Sequence, residues 1–216
     1  MIDVGANNGQ TIIEISKNFP GSTIHSFEPQ EDCRQNLIKI KRQNKKLKIH
    51  LNFFALGEKK KIKTFYKNSK NALSSFFKVN TNSKLFINMK KQRKNKNFIS
   101  GINLPTKIQQ DTLSNYFKIN KIKNVDILKI DTQGYDENVL KGLKSKDLNK
   151  IKVINLEMNF YDFYEKSNSF LNVEKIIGNH FNFWDISFLY KNPKFNSIDY
   201  MDVIYINKSF QKKITS

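Results

Sequence analysis

The first nine residues, Met1-Ile2-Asp3-Val4-Gly5-Ala6-Asn7-Asn8-Gly9, restrict the fold more than any other stretch. They read as the end of a buried strand, a tight glycine turn and the start of a helix. Ile12, Ile13 and Ile15 continue at helical spacing until Pro20-Gly21 stops the run. Ser22-Thr23-Ile24-His25-Ser26-Phe27-Glu28-Pro29 follows as a β-rich run closed by an acid and a proline. The result is a βαβ unit. Gly5 lets backbone approach a ligand with no Cβ in the way, and Gly9 lets the helix start lie close to the strand. Glu28 stands nineteen positions after Gly9, where an acid meets the hydroxyls of a bound ribose.

A dinucleotide fingerprint uses G-x-G-x-x-G to seat a pyrophosphate. The run here is Asp3-x-Gly5-x-Asn7-x-Gly9, with an acid in front and two glycines. An acid at the turn suits a ligand with a positive amino group, and S-adenosylmethionine carries one beside a sulfonium and a ribose. A nicotinamide cofactor is the alternative that the turn by itself leaves open.

Downstream the pattern keeps alternating. Gln30 to Lys46 sets Cys33, Leu37, Ile38 and Ile40 on one side of a basic amphipathic helix. Leu47 to Ala55 reads as a third strand, Leu56-Gly57-Glu58 as a turn and Lys61 to Tyr66 as an exposed strand. Residues 68–104 are weakly patterned, an irregular insertion of the kind that supplies lids and substrate loops, with a lysine-rich loop from Lys90 to Asn97. Asp111 is expected to cap a helix through Leu113, Tyr116 and Phe117. Val125 to Asp131 is a fourth strand ending in an acid, and Thr132-Gln133-Gly134-Tyr135 is its turn. Asp136-Glu137 then opens a helix capped by Gly142. A fifth strand, Ile151 to Met158, carries Glu157 near its end. A helix around Phe170 to His180 and strands from Phe183 to Tyr190 and Tyr200 to Asn207 finish the chain. This alternation predicts an α/β fold with a mostly parallel sheet. Ligands bind such sheets at the strand carboxyl ends, where Asp3, Glu28, Asp131 and Glu157 recur.

With 216 residues and 38% hydrophobic content, the chain has material for the core of one domain spanning 1–216. No apolar run reaches the roughly 18 residues of a membrane span, and the start is not a basic-then-apolar leader, so a cytoplasmic protein is expected. The lone Cys33, unable to form an internal disulfide, agrees with a reducing compartment. A net charge of +19 raises nucleic acid as a partner, yet of 38 basic residues only Arg34, Arg42 and Arg93 are arginine, the residue phosphate readers favour. The abundance of Lys, Asn, Ile, Phe and Tyr, all with A/T-rich codons, explains the charge, which predicts only salt-sensitive, nonspecific binding to polyanions. His25, His50 and His180 are scattered without ligand spacing, and no metal site is expected.

Four stretches carry a family resemblance. Asp3-Val4-Gly5-Ala6-Asn7-Asn8-Gly9, Phe27-Glu28-Pro29 and Asn52-Phe53-Phe54-Ala55-Leu56-Gly57 are three of them. The most specific is Leu128-Lys129-Ile130-Asp131-Thr132-Gln133-Gly134-Tyr135-Asp136, with Val139-Leu140-Lys141-Gly142 after it. Together they resemble the FkbM family of S-adenosylmethionine-dependent methyltransferases, nearly end to end. The resemblance implies a class I methyltransferase (Rossmann-like) sheet of order 3-2-1-4-5-7-6, its final strand antiparallel. It implies methyl transfer to a hydroxyl of a sugar, polysaccharide or polyketide. Asp3, Gly5, Ala6, Asn7, Gly9, Glu28, Asn52 and Ala55 would then bind the cofactor, with Asp3 toward the methionine amino group and Glu28 on the ribose. Asp131 would be base or substrate-orienting acid, with Glu157 as second choice, and Lys129, Gln133 and Tyr135 would face the substrate. Many relatives carry Glu where Gln133 stands. Relatives also have a segment upstream of Asp3, so the first strand is expected to be clipped.

Rival chemistries lack their residues. A DNA amino-methyltransferase needs a Pro-Pro run after the fourth strand, absent among Pro20, Pro29, Pro105 and Pro193. A cytosine C5 enzyme needs a nucleophilic Cys, and Cys33 sits in the helix after Glu28. RNA ribose methylation and a truncated, non-catalytic nucleotide-binding module stand as alternatives.

Overall fold

The computed structural model describes residues 1–92, 101–160, 162–166, 169–193 and 196–215. Strand β1 (Ile2–Val4), helix α1 (Gln10–Asn18), β2 (Thr23–Phe27), α2 (Glu31–Gln43) and β3 (Lys48–Asn52) form the opening unit. Three strands with no place in that unit follow, β4 (Ala55–Leu56), β5 (Lys61–Lys67) and β6 (Leu104–Asp111), with α3 (Lys84–Gln92) between the last two. Then come α4 (Leu113–Ile119), β7 (Val125–Ile130), α5 (Asp136–Lys141), α6 (Ser145–Leu148) and β8 (Ile151–Asn159). Helix α7 (Phe170–Ile177), β9 (Phe181–Lys191), β10 (Ile198–Asn207) and α8 (Lys208–Thr215) end the chain.

Seven strands make the large sheet, ordered β3-β2-β1-β7-β8-β10-β9. Counted among themselves they run 3-2-1-4-5-7-6. All pairings from β3 to β8 are parallel, while β10 is antiparallel to both of its neighbours. Period-two alternation separates the faces. Leu128, Ile130, Ile154, Leu156, Met158 and Val203 are buried on one face with Val139 and Leu140 of α5 and Val173 and Ile177 of α7. Each fully buried side chain of this kind contributes about 1.5–3 kcal/mol. The opposite face of the same strands is polar and half-buried, carrying Lys129, Asn155, Glu157 and Asp202. A second apolar cluster, with Ile12, Ile24, Cys33, Leu37 and Ile40, holds α1 and α2 on β2 and β3.

The structure corrects several element boundaries. The third strand ends at Asn52, and Ala55–Leu56 pairs with Gln110 and Asp111 of β6 in a separate sheet ordered β4-β6-β5. Leu56 is therefore strand rather than turn. Asp111 ends β6, and Thr112 caps α4 by accepting a hydrogen bond from the Asn115 amide at 3.1 Å. Its hydroxyl sits where the free amides of the first turn point, whereas Asp111 bonds the Thr112 amide and the Asn115 side chain. Part of the irregular stretch is ordered: Val79 and Phe86 pack with Phe163 and Tyr164 in a third cluster. Of the expected lysine-rich loop, Lys90 to Gln92 finish α3 and positions 93–97 lie outside the described residues. Helix α8 follows β10 without interruption and was not foreseen. Among the described residues, no helix is long and apolar enough to cross a membrane.

The end of α5 meets α4 and the turn after β4 at Gly142. Its carbonyl accepts from the Ser114 amide at 3.2 Å, and a Cβ built on it would lie 2.3 Å from the Gly57 carbonyl oxygen. Neither backbone can withdraw without losing its hydrogen bonds, since Gly57 itself donates to Asp111. Gly142→Ala should therefore cost about 1–3 kcal/mol, or several degrees of melting temperature. Thermal denaturation followed by circular dichroism tests this, and an unchanged midpoint would show that the contact relaxes freely.

Candidate functional site

The carboxyl ends of β1, β2 and β7 open into a cavity of about 400 Å³. Its floor is the glycine turn. Gly5 has φ +87, and a Cβ there would lie 1.9 Å from the Asp131 carbonyl oxygen, so only glycine permits this approach. The Gly5 and Ala6 amides both donate to the Phe27 carbonyl, and the Asp131 amide donates to that of Val4. These bonds lock the ends of the three strands together.

Glu28 leaves β2 at the cavity wall, 3% exposed. Its two carboxylate oxygens each accept a backbone amide at 2.8 Å, from Asn7 and from Gln30. Those bonds hold Asn7 at φ 45, a left-handed conformation that asparagine tolerates. Burial raises the Glu28 pKa, and the two amides work against that rise. Each oxygen keeps a second lone pair for a ligand.

On the β7 side Asp131 is gripped twice. Lys129 Nζ lies 3.2 Å from one oxygen, and the Gln133 side-chain amide donates to the other at 2.9 Å. The turn makes this possible by taking left-handed conformations at Gln133 and Gly134, and Tyr164 in turn bonds Gln133 Oε1 at 2.9 Å. Burial opposes charge on Lys129, yet Asp131 and Asp3 outweigh it and lift its pKa above the ordinary lysine value. Glu157 occupies the next strand, one register step beyond the Ile130–Leu156 pair, and accepts from Asn159 at 2.9 Å. Burial, then the charge of Asp131, pushes it up to about 8.

Nine of the residues singled out from sequence line the cavity: Gly5, Ala6, Asn7, Glu28, Ala55, Lys129, Asp131, Gln133 and Tyr135. Four do not. Asp3 is fully buried beneath the floor in the row that pairs it with Lys129, and neither of its oxygens has a hydrogen-bond partner within 3.5 Å. Burial lifts it to about 6, Lys129 opposing and Asp131 adding. Gly9 serves packing, because a Cβ there would lie 2.7 Å from Ile40 of α2. Asn52 spends its amide on the Ser26 and His50 carbonyls at the end of β3. Glu157 stands one strand away from the lining. Tyr135 lines the cavity, but its hydroxyl donates to Gln110 at 3.1 Å and accepts from Lys63 at 2.9 Å. Burial pushes that hydroxyl up to about 12, so Tyr135 offers ring surface rather than acid–base chemistry.

Sequence reasoning missed the opposite wall. Phe65 of β5 and Asn71, Ala72, Ser74 and Phe76 of the insertion complete the cavity with Phe27 and Leu56. No periodicity marks them, since their neighbours come from a different sheet. Cys33 ties this wall to the floor through 3.6 Å contacts with Asn7 and Asn71, and burial raises its thiol to about 11. Two polar atoms of the lining residues are buried and without a hydrogen-bond partner, Gln30 Oε1 and Thr132 Oγ1. Such atoms cost free energy until a ligand or water meets them. Among the described residues no group of three or more His, Cys, Asp or Glu is placed to hold a metal ion.

A family model described as Methyltransferase FkbM domain matches residues 3–183. Among curated proteins none matches the chain. In shape the chain is similar to an rRNA methylase from Streptococcus thermophilus, at 8% identity and a TM-score of 0.42, over 95% of this chain and 84% of that one.

The Glu157 proton gives a stability test. Between its ordinary value of 4.5 and about 8, the folded chain holds a proton that the unfolded chain releases. The resulting stability is full below pH 4.5 and is lost as pH rises through 8. Glu157→Gln removes the dependence. Its melting temperature should match wild type near pH 4 and exceed it at pH 8.5 by at least about 2–4 °C, equivalent to about 1 kcal/mol. A constant difference across that range would place the perturbed proton elsewhere.

Proposed function

Since the chain belongs to the FkbM methyltransferase family, we propose that it is an S-adenosyl-L-methionine-dependent O-methyltransferase acting on a saccharide hydroxyl. The observation that carries this reading is Glu28, buried at the cavity wall with one oxygen bonded by the Asn7 amide of the glycine turn and the other by the Gln30 amide, each keeping a second lone pair for a diol. The lining suits the whole cofactor. Phe27, Leu56, Phe65 and Phe76 supply an apolar wall for a purine, and the unpartnered Gln30 and Thr132 oxygens await polar groups. A volume of about 400 Å³ lies within the range of small-molecule sites.

The cofactor supplies an already activated sulfonium methyl, so the chain's task is to align an acceptor oxygen and exclude water. Asp131, held by Lys129 and Gln133, orients the acceptor hydroxyl by accepting its hydrogen bond. The Lys129 ammonium, 3.2 Å away, holds that carboxyl in place. Glu157, lifted to about 8, is in its ionised form a stronger base than an ordinary carboxylate, and that form takes the hydroxyl proton, directly or through one water. This reverses the order of the two acids given by their motifs. Residues 68–104 serve as the substrate-side loop of one catalytic domain spanning 1–216, in the cytoplasm, where the single buried thiol is at home.

Label from radioactive S-adenosylmethionine, incubated with the protein and a fractionated cell extract, should enter carbohydrate; entry into RNA instead would overturn the saccharide assignment. Glu28→Ala should weaken binding of S-adenosylhomocysteine at least tenfold by calorimetry, since two charge-assisted bonds of about 1.5–3 kcal/mol each are lost. Unaltered affinity would remove Glu28 from the ribose site. Glu157→Gln should lower kcat by about 10²–10⁴. Asp131→Asn, which keeps the hydrogen-bonding shape, should raise the acceptor KM more than it lowers kcat, and the opposite pattern would return the base role to Asp131.

A further inference from the structure

Strand β9 is the outer strand of the large sheet, and every residue from Asn182 to Lys191 is exposed. In a chain of net charge +19, Phe181 to Tyr190 contains no lysine or arginine, so this edge is not part of the general basic surface. Three rings here are ordered against one another. Tyr200 of β10 stacks on Tyr190 at 5.1 Å and 21° and on Phe188 at 5.7 Å and 29°. Phe188 and Tyr190 remain 48% and 41% exposed, so these two rings present surface to solvent.

The stack continues the candidate site. Across the sheet, Tyr190 pairs with Tyr200 and Tyr200 with Asn159; one step nearer the cavity, Phe188 pairs with Asp202 and Asp202 with Glu157. Asp131 follows the last residue of β7, level with Glu157. Two strand spacings of about 4.8 Å separate β7 from β10, a span that suits a short oligosaccharide rather than one sugar.

We propose that the Phe188–Tyr200–Tyr190 stack is an acceptor platform, holding a distal sugar of an oligosaccharide while a hydroxyl nearer the cavity reaches Asp131 and Glu157. This rests on the methyl-transfer reading above and names the acceptor class. A pyranose presents a flat patch of axial C–H bonds, which lies on an aromatic face, and a rim of hydroxyls, which the carboxylates of Asp202 and Glu157 accept. A nucleic acid would also stack, but Phe181 to Tyr190 offers no lysine or arginine to meet its phosphates. Edge-to-edge pairing with a second copy is opposed by the strand itself. Trp184 and Ser187 have no partner in the register with β10, and such bulges twist an edge away from a new strand.

The test uses the full chain with S-adenosylhomocysteine and neutral hexasaccharides of glucose, mannose and N-acetylglucosamine. Saturating the protein's aromatic protons should transfer signal to axial C–H protons of one of them. Tyr190→Ser and Phe188→Ser should each weaken saccharide affinity about threefold to tenfold, Tyr190→Trp should restore it, and S-adenosylhomocysteine affinity should stay constant. No signal in any hexasaccharide overturns the platform, as does a hexauridylate that competes for the stack. A dimer that Tyr190→Ser dissociates in sedimentation overturns it in favour of a copy interface. Methyl transfer to a hexasaccharide with the same acceptor KM in Tyr190→Ser also rejects the platform while leaving the reaction standing. Failure of wild type to bind S-adenosylhomocysteine rejects the reaction and is read independently of the saccharide signal.

Discussion

Everything at the site depends on the contact between the Gly5 backbone and the Asp131 carbonyl. No side chain fits between them, and the approach carries two consequences. It seals the carboxyl ends of β1 and β7 beneath the cavity, which leaves Asp3 without access to it. It also sets the height of Asp131 relative to Glu28, because Gly5 and Ala6 are simultaneously bonded to Phe27, the residue before Glu28. Glu28 and Asp131 are thus fixed against each other through backbone alone.

The second organising feature is a row of charges across the polar face of the sheet. Lys129 stands among Asp3, Asp131 and Asp202, and one cation cannot neutralise three acids. Burial, then the charge of Asp131, raises the pKa of both Glu157 and Asp202.

Much of the fold was legible because it is written in local patterns. The glycine turn, the alternating βαβ units and the acids at strand ends all depend on neighbours within a few residues, and the large sheet has the strand order that the resemblance implied. Nine of the thirteen candidate residues line one cavity, and seven of them, all but Ala55 and Lys129, sit at strand ends and turns whose glycines and acids declare them. What could not be read was the sheet of β4, β5 and β6. A two-residue strand such as Ala55–Leu56 has no period to detect, and β6 begins at Leu104-Pro105 after a stretch with no repeating pattern.

By itself the sequence determined the supersecondary unit, the cavity floor and the chemical types gathered there, because glycine conformation and side-chain alternation are local properties of the chain. Only the tertiary structure decided what those residues do. Asp3 is buried outside the cavity lining, the Tyr135 hydroxyl is taken by Gln110 and Lys63, and burial with the charge of Asp131 raises the Glu157 pKa. The physical reason is that desolvation and charge coupling act through space, between residues such as Asp3 and Lys129 that are far apart in the chain and adjacent only once the sheet has formed.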